Sequence, residues 1–443
     1  MNREKILGLL SVCALCVSSL TVYAGEENVA NGTYALHVEG DDWGCGTDFV
    51  YLTFDKALDA VDAESFAVDE TKTATDWSDP EFAEVVVTNP RTVLDAYLVD
   101  EEGNKTEDPS MKAVLELYIS PSEGSPLNYS NINNYNYWTS PYELTITQKE
   151  GSALTSEGEE VTVSIDPAYT AMDTEFDGVA EDVYVTESGV TYPYAHFEPE
   201  GGSETMVVWL HGGGEGGIQI YGEATDPRII MLANEAGNLT QEDFQSTVGG
   251  ANILIPQCDT YWMDMEGNTP GSMWASNEGT SFFTESLMEL IEKYKEETGS
   301  KKVILTGCSN GGFMSILMAK TYPGAFDAIV PICPPFKAEQ ITEEEMEGIK
   351  DLPMYFIYSQ DDDTVVPDVY EIPLLQKFEE AGFSAISVCT PETVSDLSER
   401  FNDADGNAYR YAGHWSWIYF FNNEAKDNET GLTAWDFIAN AAK

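Results

Sequence analysis

The stretch from Lys301 to Tyr322, KKVILTGCSNGGFMSILMAKTY, constrains the fold more than any other part of this chain. A β-branched apolar run leads into Gly307, Ser309 and Gly311 at alternate positions, and the residues that follow set apolar side chains at helical spacing. A serine thrust out on a sharp turn needs neighbours without side chains, because a Cβ at either flank collides with the adjoining strand or helix. Strand, turn and helix around G-x-S-x-G therefore predict an exposed, reactive serine at the turn.

The same grammar extends through the second half. The strand candidates are VYVTE, VTYPYAHFEP, TMVVWLHG, ANILIPQ, KVILTG, DAIVPIC, MYFIYSQ and SAISVCT. Helical patterns such as SFFTESLMELIEKYKEETG, VPDVYEIPLLQKFEEAG and TAWDFIANAAK fall between or after them. This alternation predicts an α/β fold, a mostly parallel sheet with helices on both faces, which binds ligands at the carboxyl ends of its strands.

From about Val29 to Asp166 the pattern is different: FVYLTFDKAL, FAEVVVT, VLDAYLVD, AVLELYIS, YELTITQ and VTVSID are short alternating runs separated by turn clusters. They predict an all-β immunoglobulin-like sandwich, without the paired cysteines of antibody domains. The stretch NYSNINNYNYWTSPY reads as an ordered polar loop over that sandwich, with stacking on sugar rings as the weaker alternative and no catalytic role. The expected layout is a signal peptide at 1–24, the sandwich at 26–170, a linker around AYTAMDTEFDGVAED, and the catalytic domain at 175–443. All catalytic groups fall beyond the sandwich, which is therefore expected to fold as a separate module, so that a chain starting near Thr174 keeps its site, the contrary possibility being that the sandwich packs across the cleft and forms one wall of the acyl pocket.

The leader MNREKILGLLSVCALCVSSLTVYAGEE has basic Arg3 and Lys5, an apolar stretch and Val22-Tyr23-Ala24 before Gly25, the pattern of a secretory signal. Cys13 and Cys16 lack the small preceding residue of a lipid-anchoring site, so a secreted, extracellular protein is expected, with no membrane association after cleavage. Asp and Glu total 78 against 21 Lys and Arg, a formal net charge of −57. Such a surface repels nucleic acid and anionic membranes and keeps a protein in solution. Outside the leader, Cys45, Cys258, Cys308, Cys333 and Cys389 are too few for a disulfide framework, though a Cys308 to Cys333 bridge stays open. No Cys/His spacing resembles a zinc site, and neither a metal nor a cofactor is called for.

A serine hydroxyl needs a base within hydrogen-bond reach, itself held by an acid. The chain has four histidines. His37 lies in the sandwich, His196 within a strand and His211 after VVWL, so only His414 follows Ser309, as the order Ser, acid, His requires. The acid is expected in QDDDTVVP, after the strand MYFIYS. Asp363 is the choice, on its spacing to Val366 and Pro367, with Asp362 and then Asp361 as fallbacks. WLHGGGEGG offers unobstructed backbone N–H groups, so Gly213 or Gly214, together with Asn310, is expected to form an oxyanion hole, with His211 bracing the loop. Tyr261, Trp262, Trp274, Trp415 and Trp417 lie near strand ends or beside His414, and the first four are candidate substrate contacts. DADGNAY, from Asp403, lacks the later glutamate of a calcium loop and reads as a solvated turn.

VVWLHGGGEGG, ILIPQCDTYWMD, VILTGCSNGGFM, DDDTVVP and GHWSWIYFFNN resemble the secreted α/β-hydrolase esterases similar to polyhydroxybutyrate depolymerases and feruloyl esterases, including those with an immunoglobulin-like N-terminal domain. The resemblance implies the α/β-hydrolase fold and a serine esterase with Ser309, Asp363 and His414 as its triad. It leaves the substrate open among feruloyl or acetyl groups on plant polysaccharide, polyesters and short-chain esters, and some relatives resemble prolyl oligopeptidases. An inactive carbohydrate-binding protein is the alternative of another class, disfavoured by the complete set of three. The expected partner is an ester substrate, polysaccharide-linked, and the oligomeric state is open.

Overall fold

The computed structural model describes residues 28–268, 277–398, 400–402 and 405–443. The leader, Trp274 and part of the DADGNAY turn lie outside them.

In the first half, one sheet is built on a long hairpin, Val29–Asp41 with Gly44–Leu58. Ser110–Leu117 and Val93–Val99 extend it on one side, Glu159–Ile165 and Leu154–Ser156 on the other. A three-stranded sheet of Glu84–Arg91, Phe66–Thr75 and Tyr142–Gln148 faces it. Alternation decides the core: Tyr34, Leu36, Val50, Leu52 and Leu115 point inward from the first sheet and meet Phe66, Val68, Leu144 and Ile146 of the second. The result is the immunoglobulin-like sandwich. The expected linker is not free, since Met172–Thr174 pairs with the first strand and Phe176 is buried.

The second half holds an eight-stranded sheet, numbered here within itself: β1 (Ala180–Val185), β2 (Thr191–Phe197), β3 (Thr205–Leu210), β4 (Asn252–Pro256), β5 (Lys302–Cys308), β6 (Ala328–Ile332), β7 (Met354–Ile357) and β8 (Ile386–Cys389). Their order is β1-β2-β4-β3-β5-β6-β7-β8. β3 to β8 run parallel, and β1 and β2 are antiparallel at one edge. The central parallel strands β3 to β7 are apolar and buried almost throughout because both faces are covered, whereas β1 at the edge is largely exposed. Val207, Trp209, Ile253 and Ile304 pack under the helices Pro227–Ala233, Glu242–Val248, Trp417–Phe421 and Ala434–Ala441. Met206, Val208, Leu254 and Leu305 pack under Thr284–Thr298, Asn310–Thr321 and Glu371–Glu380. This is an α/β-hydrolase domain.

The two halves pack closely against each other. Val38 and Cys45, near the tip of the first hairpin, share one apolar cluster with Trp209, Ile229 and Ile230 of the second half. The stretch expected to be a polar loop is a second hairpin, Leu127–Ser130 with Tyr135–Trp138, tied to the sandwich where Thr75 donates to Asn128 Oδ1 (3.1 Å) and to the Tyr129 carbonyl (2.8 Å), and packed also against the second half. There Trp138 Nε1 donates to Asp226 Oδ2 (3.2 Å), Asn133 Nδ2 donates to the Tyr221 hydroxyl (3.1 Å), and Tyr137 stacks on Tyr221 at 4.6 Å between ring centroids. Strand spacing could not register contacts between residues so far apart in the chain.

The seam between the halves is acidic. Arg400 pairs with Glu39 (3.1 Å) and Asp41 (2.9 Å), Asn422 donates to Asp42 (2.6 Å), and the Gly40 N–H donates to Glu175 (2.6 Å). Burial pushes the carboxyls of Asp41 and Glu175 up to about 7, and burial with repulsion from neighbouring carboxylates also raises Glu235. Groups raised in this way contribute stability that is complete below the ordinary carboxylate pKa of about 4 and is lost as pH climbs through about 7. We expect the midpoint of thermal unfolding to be higher at pH 5.5 than at pH 8 at equal ionic strength. A midpoint that is level or rises across that interval would contradict a protonated seam.

Candidate active site

Ser309 sits between β5 and the helix Asn310–Thr321 with φ 50° and ψ −112°, a left-handed backbone that a side-chain-bearing residue adopts only under strain. The glycine requirement is steric: a Cβ on Gly311 would lie 1.9 Å from the Leu210 carbonyl oxygen, and one on Gly307 2.6 Å from it. The Ser309 N–H donates to the Ile332 carbonyl (2.8 Å), tying the turn to the end of β6.

His414 precedes the helix Trp417–Phe421, and its loop reaches the acid turn closely. A Cβ on Gly413 would lie 2.5 Å from Asp361 Oδ1. His414 Nε2 is 2.9 Å from Ser309 Oγ, and Nδ1 is 2.8 Å from Asp362 Oδ2. The acid is thus Asp362, and the choice of Asp363 is corrected. In the turn after β7, Asp362 Oδ1 accepts the N–H groups of Thr364 (2.9 Å) and Val365 (2.8 Å), which fixes its carboxylate inward with a side chain 0% exposed. Asp363 is exposed, and Asp361 turns to Arg410 (2.5 Å). Burial opposes the Asp361 charge, but the Ser359 hydroxyl and Arg410 outweigh it and hold that carboxyl below its usual range. Spacing to Val366 and Pro367 misled because the local Asx turn, not the proline, chooses the residue that faces inward.

The remaining histidines are engaged elsewhere. His37 pairs with Asp48 (2.6 Å), and His196 lies on β2 near Glu198. His211 is fully buried, with Nδ1 2.6 Å from the Gly212 carbonyl and Nε2 accepting the Cys258 N–H (3.0 Å). Burial pulls it down to about 4, so it is neutral and braces the glycine loop.

Gly213 and Gly214 open the 3₁₀ turn Gly213–Glu215, and Asn310 opens its helix, so their N–H groups have no partner within the element. All three line one cleft of about 840 Å³ with Ser309 and His414. Tyr261 and Trp415 line it as expected, whereas Trp262 is fully buried, stacked on Tyr192 at 6.2 Å, and does not reach it. The other wall comes from the sandwich half: Trp43 from the turn of the first hairpin, Trp77, and Asn128, Tyr129 and Asn136 from the second. Asn128, Tyr129 and Asn136 belong to NYSNINNYNYWTSPY, where sugar stacking was only the weaker alternative, and nothing pointed to Trp43 or Trp77, because a tryptophan in a turn carries no signal of a site hundreds of positions away. A chain starting near Thr174 would lack this wall.

Cys308 and Cys333 are unbonded, and burial pushes both thiols up, away from the reactive thiolate. Among the described residues, Cys333, Asp362 and His414 bring metal-ligating atoms within 4.8 Å of one another. Both ring nitrogens of His414 are committed to Asp362 and Ser309, which fits an acid–base relay better than a metal. No helix among the described residues is long and apolar enough to cross a membrane.

Residues 33–162 match the family model for the esterase Ig-like N-terminal domain, and residues 197–398 match the phospholipase/carboxylesterase family. Among solved structures, a thermostable esterase superposes with a TM-score of 0.65 at 21% identity, covering 88% of this chain and 96% of that one. Weaker likenesses include a ferulic acid esterase (TM-score 0.41, 10% identity, 59% and 98% covered). The poly(3-hydroxybutyrate) depolymerase LpqC from Bordetella parapertussis is similar at TM-score 0.33 and 13% identity, with 52% and 93% covered. No curated protein matches the chain.

Proposed function

From a chain that is a serine hydrolase, with an esterase Ig-like domain ahead of an α/β-hydrolase domain of the phospholipase/carboxylesterase family, we propose an extracellular esterase that removes feruloyl or acetyl groups from plant polysaccharide. The observation that carries the esterase chemistry is the chain of hydrogen bonds from Asp362 through His414 to Ser309 at the wall of an open cleft.

In this reading His414 Nδ1–H donates to Asp362, which leaves Nε2 to take the Ser309 proton as Oγ attacks the ester carbonyl. The oxyanion that forms is met by N–H groups of the Gly213–Gly214 turn and of Asn310, which line the cleft beside Ser309. His414 then returns the proton to the leaving alcohol, and a water repeats the sequence on the acyl-serine.

The substrate class rests on the cleft lining. Trp43, Trp77, Tyr129, Tyr261, Trp415 and Trp417 present ring faces and edges suited to a phenolic acyl group or to the sugar that carries it. The leader, read as a secretory signal, supports an extracellular site of action. Hydrolysis of methyl ferulate, p-nitrophenyl acetate, acetylated xylan, poly(3-hydroxybutyrate) and a proline-peptide ester or amide tests this. We expect kcat/KM on methyl ferulate or release of acetate from xylan to exceed turnover of the polyester and the peptide. Preference for the polyester or the peptide would reject the polysaccharide assignment while leaving the serine mechanism standing.

A further inference from the structure

Glu215 ends the glycine-rich turn, yet it is a carboxylate only 4% exposed in a place where nothing in the reaction uses it. Its Oε1 accepts from Nδ2 of Asn136, a residue of the sandwich half, at 3.3 Å. Its other oxygen turns back toward Gly212, whose Cα would carry a Cβ 3.1 Å from Oε2. Burial raises this carboxyl to about 7, while Asn234, Asn136 and the Gly212 N–H favour its charge. The Glu215 carbonyl is held independently, by Gln257 Nε2 at 2.9 Å.

The same hairpin touches the turn at two more points. A Cβ on Gly214 would lie 3.2 Å from Asn136 Nδ2, and one on Gly217, whose φ is 90°, would lie 2.8 Å from the Tyr135 ring. The turn is therefore gripped by the second half through His211 and Gln257 and by the sandwich half through Asn136 and Tyr135.

We propose that Asn136 is a positioning residue for the reaction, acting through Glu215 to hold the Gly213–Gly214 backbone where the oxyanion forms. The inference rests on the esterase reading above and on those glycines as donors. Asn136 lines the cleft wall, so its role must be separated from substrate contact. A donor displaced by a fraction of an ångström loses transition-state stabilisation but little ground-state affinity, which lowers kcat and leaves KM.

The test is steady-state kinetics on p-nitrophenyl acetate for Asn136→Ala, Glu215→Ala and the double variant, each shown to unfold cooperatively. Expected is a loss in kcat of roughly 10- to 100-fold for Asn136→Ala with KM within about threefold. The double variant should lose no more than the worse single one, because both act on one contact. Asn136→Asp is the second probe: it retains the contact only while a proton is shared with Glu215, so its activity relative to the parent should fall from pH 5.5 to pH 8. Cys308 and Tyr129, the ionisable groups that also face Glu215, stay neutral in that interval. A raised KM with unchanged kcat would make Asn136 a substrate contact, additive losses would make the two residues independent, and unchanged kinetics would remove the role; each overturns the proposal. Failure of the esterase reading is distinct, since the parent protein would then not turn over.

Discussion

Asp362→Asn is expected to lower kcat/KM on p-nitrophenyl acetate by roughly 10³ to 10⁴, while Asp363→Asn stays within about twofold of the parent. The argument comes from the turn. Thr364 and Val365 both aim N–H groups at the position of Asp362 Oδ1, so an asparagine must place its carbonyl oxygen there. Its amide NH₂ then faces His414 Nδ1, where Asp362 Oδ2 stood at 2.8 Å. A donor in that position forces the proton of the imidazole to Nε2, and the ring can no longer accept from Ser309. The fold has no reason to change, as the side chain keeps its shape and its turn. A larger loss for Asp363→Asn than for Asp362→Asn would show that the turn is arranged differently in solution.

Ser309→Ala should remove more, several orders of magnitude in kcat, to roughly the level left by positioning and the oxyanion N–H groups alone. Thermal unfolding should hardly move, because alanine retains the Cβ and the strained φ of 50° while giving up only the hydroxyl. Ser309→Gly separates the two properties: it is equally inactive, and it should be more stable than Ser309→Ala by about 1 kcal/mol, since glycine adopts positive φ without strain. Residual turnover above a tenth of the parent in either variant would mean that another group is the nucleophile. Equal unfolding midpoints for the two would mean that the elbow is relaxed rather than strained.

Much of this protein was legible in the residues themselves. Each of the eight strands of the catalytic sheet has its counterpart among the predicted runs, most plainly the parallel ones from Thr205–Leu210 onward, because a parallel strand covered on both faces has little polar alternation to confuse it. Ser309 was identified by its glycines and His414 by chain order among four histidines, and the structure brings the two to 2.9 Å. These are local or countable features, and sequence carries them directly.

Three things were decided only by the tertiary structure. Which of three consecutive aspartates faces inward depends on two backbone N–H groups of a turn and on an arginine from another loop, Arg410, that draws Asp361 away. Trp262 had every surface mark of a cleft residue, but packing against Tyr192 and Phe283 takes it into the core. The polar, tyrosine-rich stretch around Tyr135 has no period that distinguishes a solvated loop from a hairpin whose partner is a glycine loop some eighty residues away. Sequence alone determined the chemistry and the architecture of each half, because periodicity and motif spacing act over a few residues. The tertiary structure decided that the two halves share one site, because contacts between distant segments are set by shape and burial that no local pattern encodes.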